Sequence, residues 1–149
     1  MKRFVFGLFL SLLVGLAGCA GNGQGLDDNG NPIGTDGVGI PVAFEPTYTN
    51  IQHNVFSAIC IECHVGASAP QGLRLDEANA YNLLVGVPSN EKPELARVNP
   101  GNPDASYIIR KLEGGPDTVG SQMPLNRTPL PQPTINAIRV WIARGAQRN

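Results

Sequence analysis

The sequence predicts an all-α domain of about three to five helices joined by long loops. Three observations lead there. Apolar residues recur at helical spacing twice, at Ile51, Val55, Phe56 and Ile59, and again at Ile135, Ile138, Trp141 and Ile142. The one alternating run, Val38, Ile40, Val42 and Phe44, is interrupted by Gly39 and Pro41, which ranks a strand there low. The chain holds 18 Gly and 13 Pro with few aromatics, a composition suited to long loops and to a core that a cofactor helps to fill.

The pentapeptide Cys60-Ile61-Glu62-Cys63-His64 supplies that cofactor. C-x-x-C-H is the attachment pattern of a c-type haem. Its two thiols add across the haem vinyl groups as thioethers. A Cys three residues after another lies nearly one helical turn on, so both sulfurs face one side. His64 follows at once and can turn its imidazole under the iron as proximal ligand. A zinc site would need two more ligands, and Cys63 and His64 are too close in sequence to share one tetrahedral ion comfortably. A thioredoxin-like redox pair belongs in a βαβ context, and no strand precedes this one. One covalent haem is therefore the expected cofactor.

The amino terminus reads as an export signal. Met1-Lys2-Arg3 is a positive start, and Phe4 to Leu16 is an uncharged apolar run too short to span a bilayer. The run closes with Leu16-Ala17-Gly18-Cys19, which resembles the lipobox of bacterial lipoproteins. The resemblance implies lipidation of Cys19 as the first mature residue and a membrane anchor of several acyl chains, since one chain alone holds marginally. An ordinary signal peptide with an accidental Cys is the alternative. Ala20 and Gly21 follow, without the Asp that retains many such lipoproteins in the inner membrane, so the outer membrane is weakly favoured. Export also suits haem, because c-type attachment takes place beyond the inner membrane.

Three segments result: a signal peptide over 1–18, an anchored flexible linker over 19–46 and a folded domain over 47–149. The linker is rich in Gly, Asn, Asp and Pro and lacks an apolar period. As a random coil it would span about 30 Å, roughly 5.5 Å times the square root of its length. The formal net charge of -1 over 149 residues offers nucleic acid no attraction, and no nucleic-acid partner is expected. All three Cys have roles without a disulfide.

Within the domain, Thr47 to Cys60 is expected as an amphipathic helix, capped by Thr49 or Asn50, that delivers the Cys pair to the haem edge. A helix running into C-x-x-C-H, with a later Met and a closing helix, resembles a class I cytochrome c over roughly Thr47 to the end. The resemblance implies a cytochrome c-like fold around one covalent haem. It also implies a backbone carbonyl after the attachment motif that accepts from the proximal His; Pro70 or a neighbour is in the right region. Leu73 and Leu75 are candidates to cover the haem. Asp76 can cap a helix through Ala78, Tyr81, Leu83 and Leu84. Residues 85–99, with Pro88 and Pro93, read as loop, and Asn99-Pro100-Gly101-Asn102 as a turn. Asn102 is expected to cap a further helix with Pro103 at its first position, stopped by Gly114-Gly115-Pro116. Tyr81 and Tyr107 can reach a haem propionate, although ordinary packing is the stronger expectation.

Met123 lies in Gly120-Ser121-Gln122-Met123-Pro124-Leu125, a Gly and Pro loop rather than an apolar helix face. In class I cytochromes a Met in such a loop, often followed by Pro, places its sulfur on the iron opposite the His. The resemblance therefore implies Met123 as distal ligand. His53 is the rival, but it shares the helix that feeds the proximal side. An empty distal site is the third option. The closing helix, from Pro133 to Gly145, is expected to pack Trp141 against Val55 or Phe56. Arg139, Arg144 and Arg148 form either a solvated face or a guide for an acidic partner. Asn99 to Tyr107, then Met123-Pro124 and Trp141-Ile142, also resemble a cytochrome-like module of bacterial surface and periplasmic proteins.

Together these features imply an electron carrier, not an enzyme, with Cys60, Cys63, His64 and Met123 holding haem c. It would sit on the periplasmic side or cell surface of the bacterial envelope and meet unidentified redox partner proteins. A haem enzyme or gas sensor with an open distal position, or a haem relay subunit of a larger complex, are the alternatives.

Overall fold

The structure, a computed structural model, describes residue 40 and residues 42–149. The expected signal segment, Cys19 and the linker up to residue 39 lie outside the described residues. Those described are helical and hold no strand, only isolated bridges at Val85–Val98, Pro88–Ala96 and Ala96–Ser106. This is the all-α class that the apolar spacing predicts.

The first helix is more broken than its apolar pattern. It begins as α1, Tyr48–Ile51, capped by the side chain of Thr47, which accepts from the Asn50 amide at 3.2 Å. The cap falls two or three residues before the expected Thr49 or Asn50, because Thr47 is the residue with extended backbone. From Gln52 to Phe56 the helix widens into a π turn, closed by the Ser57 amide on the Gln52 carbonyl at 2.7 Å. Ile59 leaves helical geometry, and a separate 3₁₀ turn, Cys60–Glu62, opens the C-x-x-C-H stretch.

The chain then runs through a 3₁₀ turn, Pro70–Gly72, into α2, Ala80–Leu84. Asp76 builds the turn ahead of α2, where its carbonyl accepts from Ala80 at 2.9 Å, so the helix itself is shorter than expected. Residues 85–99 are a folded-back loop: Ser89 donates to Leu95 at 2.8 Å and Arg97 to Val87 at 2.7 Å. The turn at Asn99–Asn102 is present, with Gly101 at φ 82°.

Asn102 does not start a helix. Its side chain accepts from Ala105 at 3.1 Å, and the Ser106 amide closes a turn on Pro103. Only then does α3 begin, Tyr107–Glu113. Gly114, at φ 76°, ends it as expected. The last helix, α4, spans Gln132–Ala143, with Pro at its start and Gly145 at φ 97° beyond its end.

The core lies where α4 meets α1 and α3. Ile51, Val55, Phe56, Leu84, Ile109, Ile138, Trp141 and Ile142 are all buried. Trp141 makes a ring contact with Tyr48, centroids 5.9 Å apart, and shares one buried core with Val55 and Phe56, its expected partners. Packing also begins before residue 47. Val42 is buried and the Ala43 amide donates to Pro133 at 3.0 Å, so the end of the expected linker lies against α4.

Candidate functional site

The turn that carries Cys60 and Cys63 is held by two bonds to one carbonyl. The amides of Cys63 and His64 donate to Cys60 at 3.2 and 2.9 Å. In a 3₁₀ turn residues three apart eclipse each other, so Cys60 and Cys63 fall on one side more closely than in an α-helix. Cys60 is half-buried and Cys63 exposed. Burial, reinforced by the neighbouring Cys63, pushes the Cys60 thiol up to about 11.

His64 is oriented by backbone. Its Nδ1 lies 2.9 Å from the Leu73 carbonyl. A carbonyl can only accept, so Nδ1 carries a proton, and in the neutral ring the lone pair is then on Nε2. The Leu75 amide returns a bond to the His64 carbonyl at 2.8 Å, so one short segment grips both ring and main chain. That segment is itself tied to the first helix. Buried Gln52 donates to the Leu75 carbonyl at 2.9 Å and accepts from the Tyr48 hydroxyl at 2.8 Å.

Met123 arrives from the other end of the domain. Helix α3 leaves its last carbonyls without helical partners. The Met123 amide takes the one at Lys111, 2.7 Å away, and the Gln122 side chain takes the one at Leu112, also 2.7 Å away. The frayed end of α3 thus fixes the Met loop. Exposed Arg127, farther along that loop, reaches back to Glu62 of the Cys60–Glu62 turn at 2.6 Å.

Between these parts lies a cavity of about 300 Å³, lined by Cys60, Cys63, His64 and Met123 together. Such a volume is at the lower end of the range typical of cofactor pockets, roughly 300–1,000 Å³. Val55, Phe56, Ile59, Leu73, Leu75, Leu84, Ile108 and Leu112 supply an apolar wall. Leu73 and Leu75 stand where the sequence expected cavity-covering residues.

The remaining candidates separate. His53 is exposed and does not line the cavity. Tyr107 lines it, but its hydroxyl donates to Glu91 at 2.9 Å and accepts from the Val119 amide at 3.1 Å. Tyr81 lies outside the cavity, with its hydroxyl on the Ala146 carbonyl. Ordinary packing therefore accounts for both. Arg139 pairs with Asp104 and with Glu113, Arg144 lies 3.6 Å from Glu45, and Arg148 sits over the Tyr81 ring. All three are engaged within the domain. Among the described residues, no group of three or more His, Cys, Asp or Glu offers a cage for a bare metal ion. No described helix is long and apolar enough to cross a membrane.

Sequence reasoning did not single out Gln52, Arg97, Glu91 or Lys111, all close to this site. Polar residues in amphipathic or Pro-rich stretches read as solvent-facing, and only packing reveals otherwise. The chain matches no family model, no curated protein and no solved structure.

Proposed function

We propose that this chain is a monohaem c-type electron carrier resembling the class I cytochromes c, anchored through lipidated Cys19 on the periplasmic side or surface of a bacterial envelope. One observation carries the reading: Cys60, Cys63, His64 and Met123 line a single apolar cavity, and the His64 ring is already aimed by Leu73. The donor set fits haem c. It offers two thiols for thioethers, one imidazole with Nε2 unprotonated and one thioether sulfur from a loop on another part of the fold.

Bound there, haem supplies one-electron exchange at its iron. The chain's own residues do the rest. Cys60 and Cys63 hold the macrocycle. His64 would hold the iron through Nε2, its tautomer fixed by the Leu73 carbonyl. Met123 would offer its sulfur, a ligand that favours the ferrous state relative to a second His. The apolar wall excludes water and works in the same direction. The bonds that hold His64 and Met123 limit movement on electron exchange. No acid, base or nucleophile is required.

The test is the mass of the full chain produced with export and haem-attachment machinery. Addition of one haem, lost in a Cys60→Ala/Cys63→Ala variant, is the expected result. A mature chain that carries no haem under those conditions would overturn the proposal.

A further inference from the structure

The cavity wall carries five charged side chains: Glu62, Glu91, Arg97, Lys111 and Arg127. Four neutralise each other. Arg127 pairs with Glu62 at 2.6 Å, and Lys111 with Glu91 at 3.2 Å. Arg97 is the fifth. Among the described residues no carboxylate lies within 4.0 Å of it, yet only 7% of its surface is exposed. Burial lowers the guanidinium pKa from its ordinary value but leaves the group charged at neutral pH. A buried cation without an opposite charge is costly, and such charges are normally paired.

The guanidinium is fixed in place. Nη1 donates to the Leu83 carbonyl and Nη2 to the Gln71 carbonyl, each at 2.8 Å. The backbone is held on both sides, with the Arg97 amide on Val87 at 2.7 Å and the Arg97 carbonyl accepting from Ile108 at 3.0 Å. Two carbonyls position the fork without neutralising it, and a guanidinium has five N–H groups to give. Two other donors on the wall are engaged elsewhere: Lys111 on Glu91 and the Val119 carbonyl, Tyr107 on Glu91.

We propose that Arg97 is the anchor for a carboxylate of the cavity's occupant. Resting on the haem reading above, that carboxylate is one of the two haem propionates. Arg97 binds it through a charge-assisted bond and leaves the other propionate outside this site. The wall and its occupant then balance in charge at that point, which the protein alone does not achieve.

The test uses the full haem-loaded chain with haem labelled with ¹³C at both carboxylates, titrated by NMR in the diamagnetic reduced state. In the wild type one carboxylate is expected to have an acid dissociation constant about tenfold or more larger than the other, the usual effect of an adjacent Arg. Arg97→Gln is expected to abolish that difference, and Arg97→Lys to keep part of it, because the charge remains and the fork does not. Two carboxylates that titrate together in the wild type would overturn the proposal even if the variants fail to fold. So would a difference that survives in Arg97→Gln. A chain that takes up no haem overturns the electron-carrier reading instead, and is recognised by mass before any titration.

Discussion

Gln52→Leu is the most informative single substitution in the scaffold. Gln52 is 5% exposed and bridges α1 to the segment that grips His64. Leucine keeps the volume and removes every polar atom. It leaves two buried groups unpaired, the Leu75 carbonyl without its 2.9 Å donor and the Tyr48 hydroxyl without its 2.8 Å acceptor, and takes from the half-buried Ser57 hydroxyl its 3.1 Å donor. Each orphaned buried group costs about 1–3 kcal/mol, so the loss should be about 2–6 kcal/mol. A domain of this size has only about 5–15 kcal/mol in total. The assay is urea unfolding of the haem-loaded chain, read as the shift in midpoint at constant slope. Adding Tyr48→Phe removes one of the two orphaned groups. The double variant should therefore be more stable than the sum of the single losses by about 1 kcal/mol or more. A Gln52→Leu loss under about 0.5 kcal/mol, or strict additivity with Tyr48→Phe, would refute the bridging role.

Other predictions concern the ligand, the core and pH. Met123→Ala should keep covalent haem, open the iron to carbon monoxide and lower the potential by a sizeable share of the roughly 0.8 V that axial ligands command; optical redox titration checks it. Trp141→Ala removes a side chain that is 1% exposed, together with its bond to the Gln147 carbonyl, and should cost about 3–5 kcal/mol in urea unfolding. Burial raises the Tyr48 phenol above its ordinary 10.0, so the folded chain keeps a proton that the unfolded chain releases. That stability is complete below pH 10.0 and is lost as pH rises further. The advantage of wild type over Tyr48→Phe should thus hold up to about pH 10 and shrink as pH rises further, measured by urea midpoints.

What was legible in the sequence follows from which signals are local. Cys60, Cys63, His64 and Met123, and the stripe at Ile135, Ile138, Trp141 and Ile142, stood out through signals a few residues long, and the structure brings the first four to one cavity and buries the stripe. The acceptor for His64 was not legible to the residue, because the Leu73 carbonyl belongs to the backbone and any side chain would serve. The π turn was hidden because Ile51, Val55 and Phe56 satisfy an α pattern as well. Asn102-Pro103 read as a helix start, but those residues cap turns and helices by the same bonds, and here the bonds close a turn before Tyr107. Arg97 was invisible for a different reason. A lone Arg between prolines reads as solvated, and its burial exists only because residues 71 and 83 are brought to it from outside the loop.

The central claim is that His64 and Met123 close on one haem iron. The oxidised optical spectrum of the haem-loaded chain tests it most directly, through the weak long-wavelength band of sulfur-to-iron charge transfer. That band is expected in the wild type and is expected to be lost in Met123→Ala, with covalent haem retained in both. A wild type with covalent haem and no such band, or a band that persists in Met123→Ala, would contradict it.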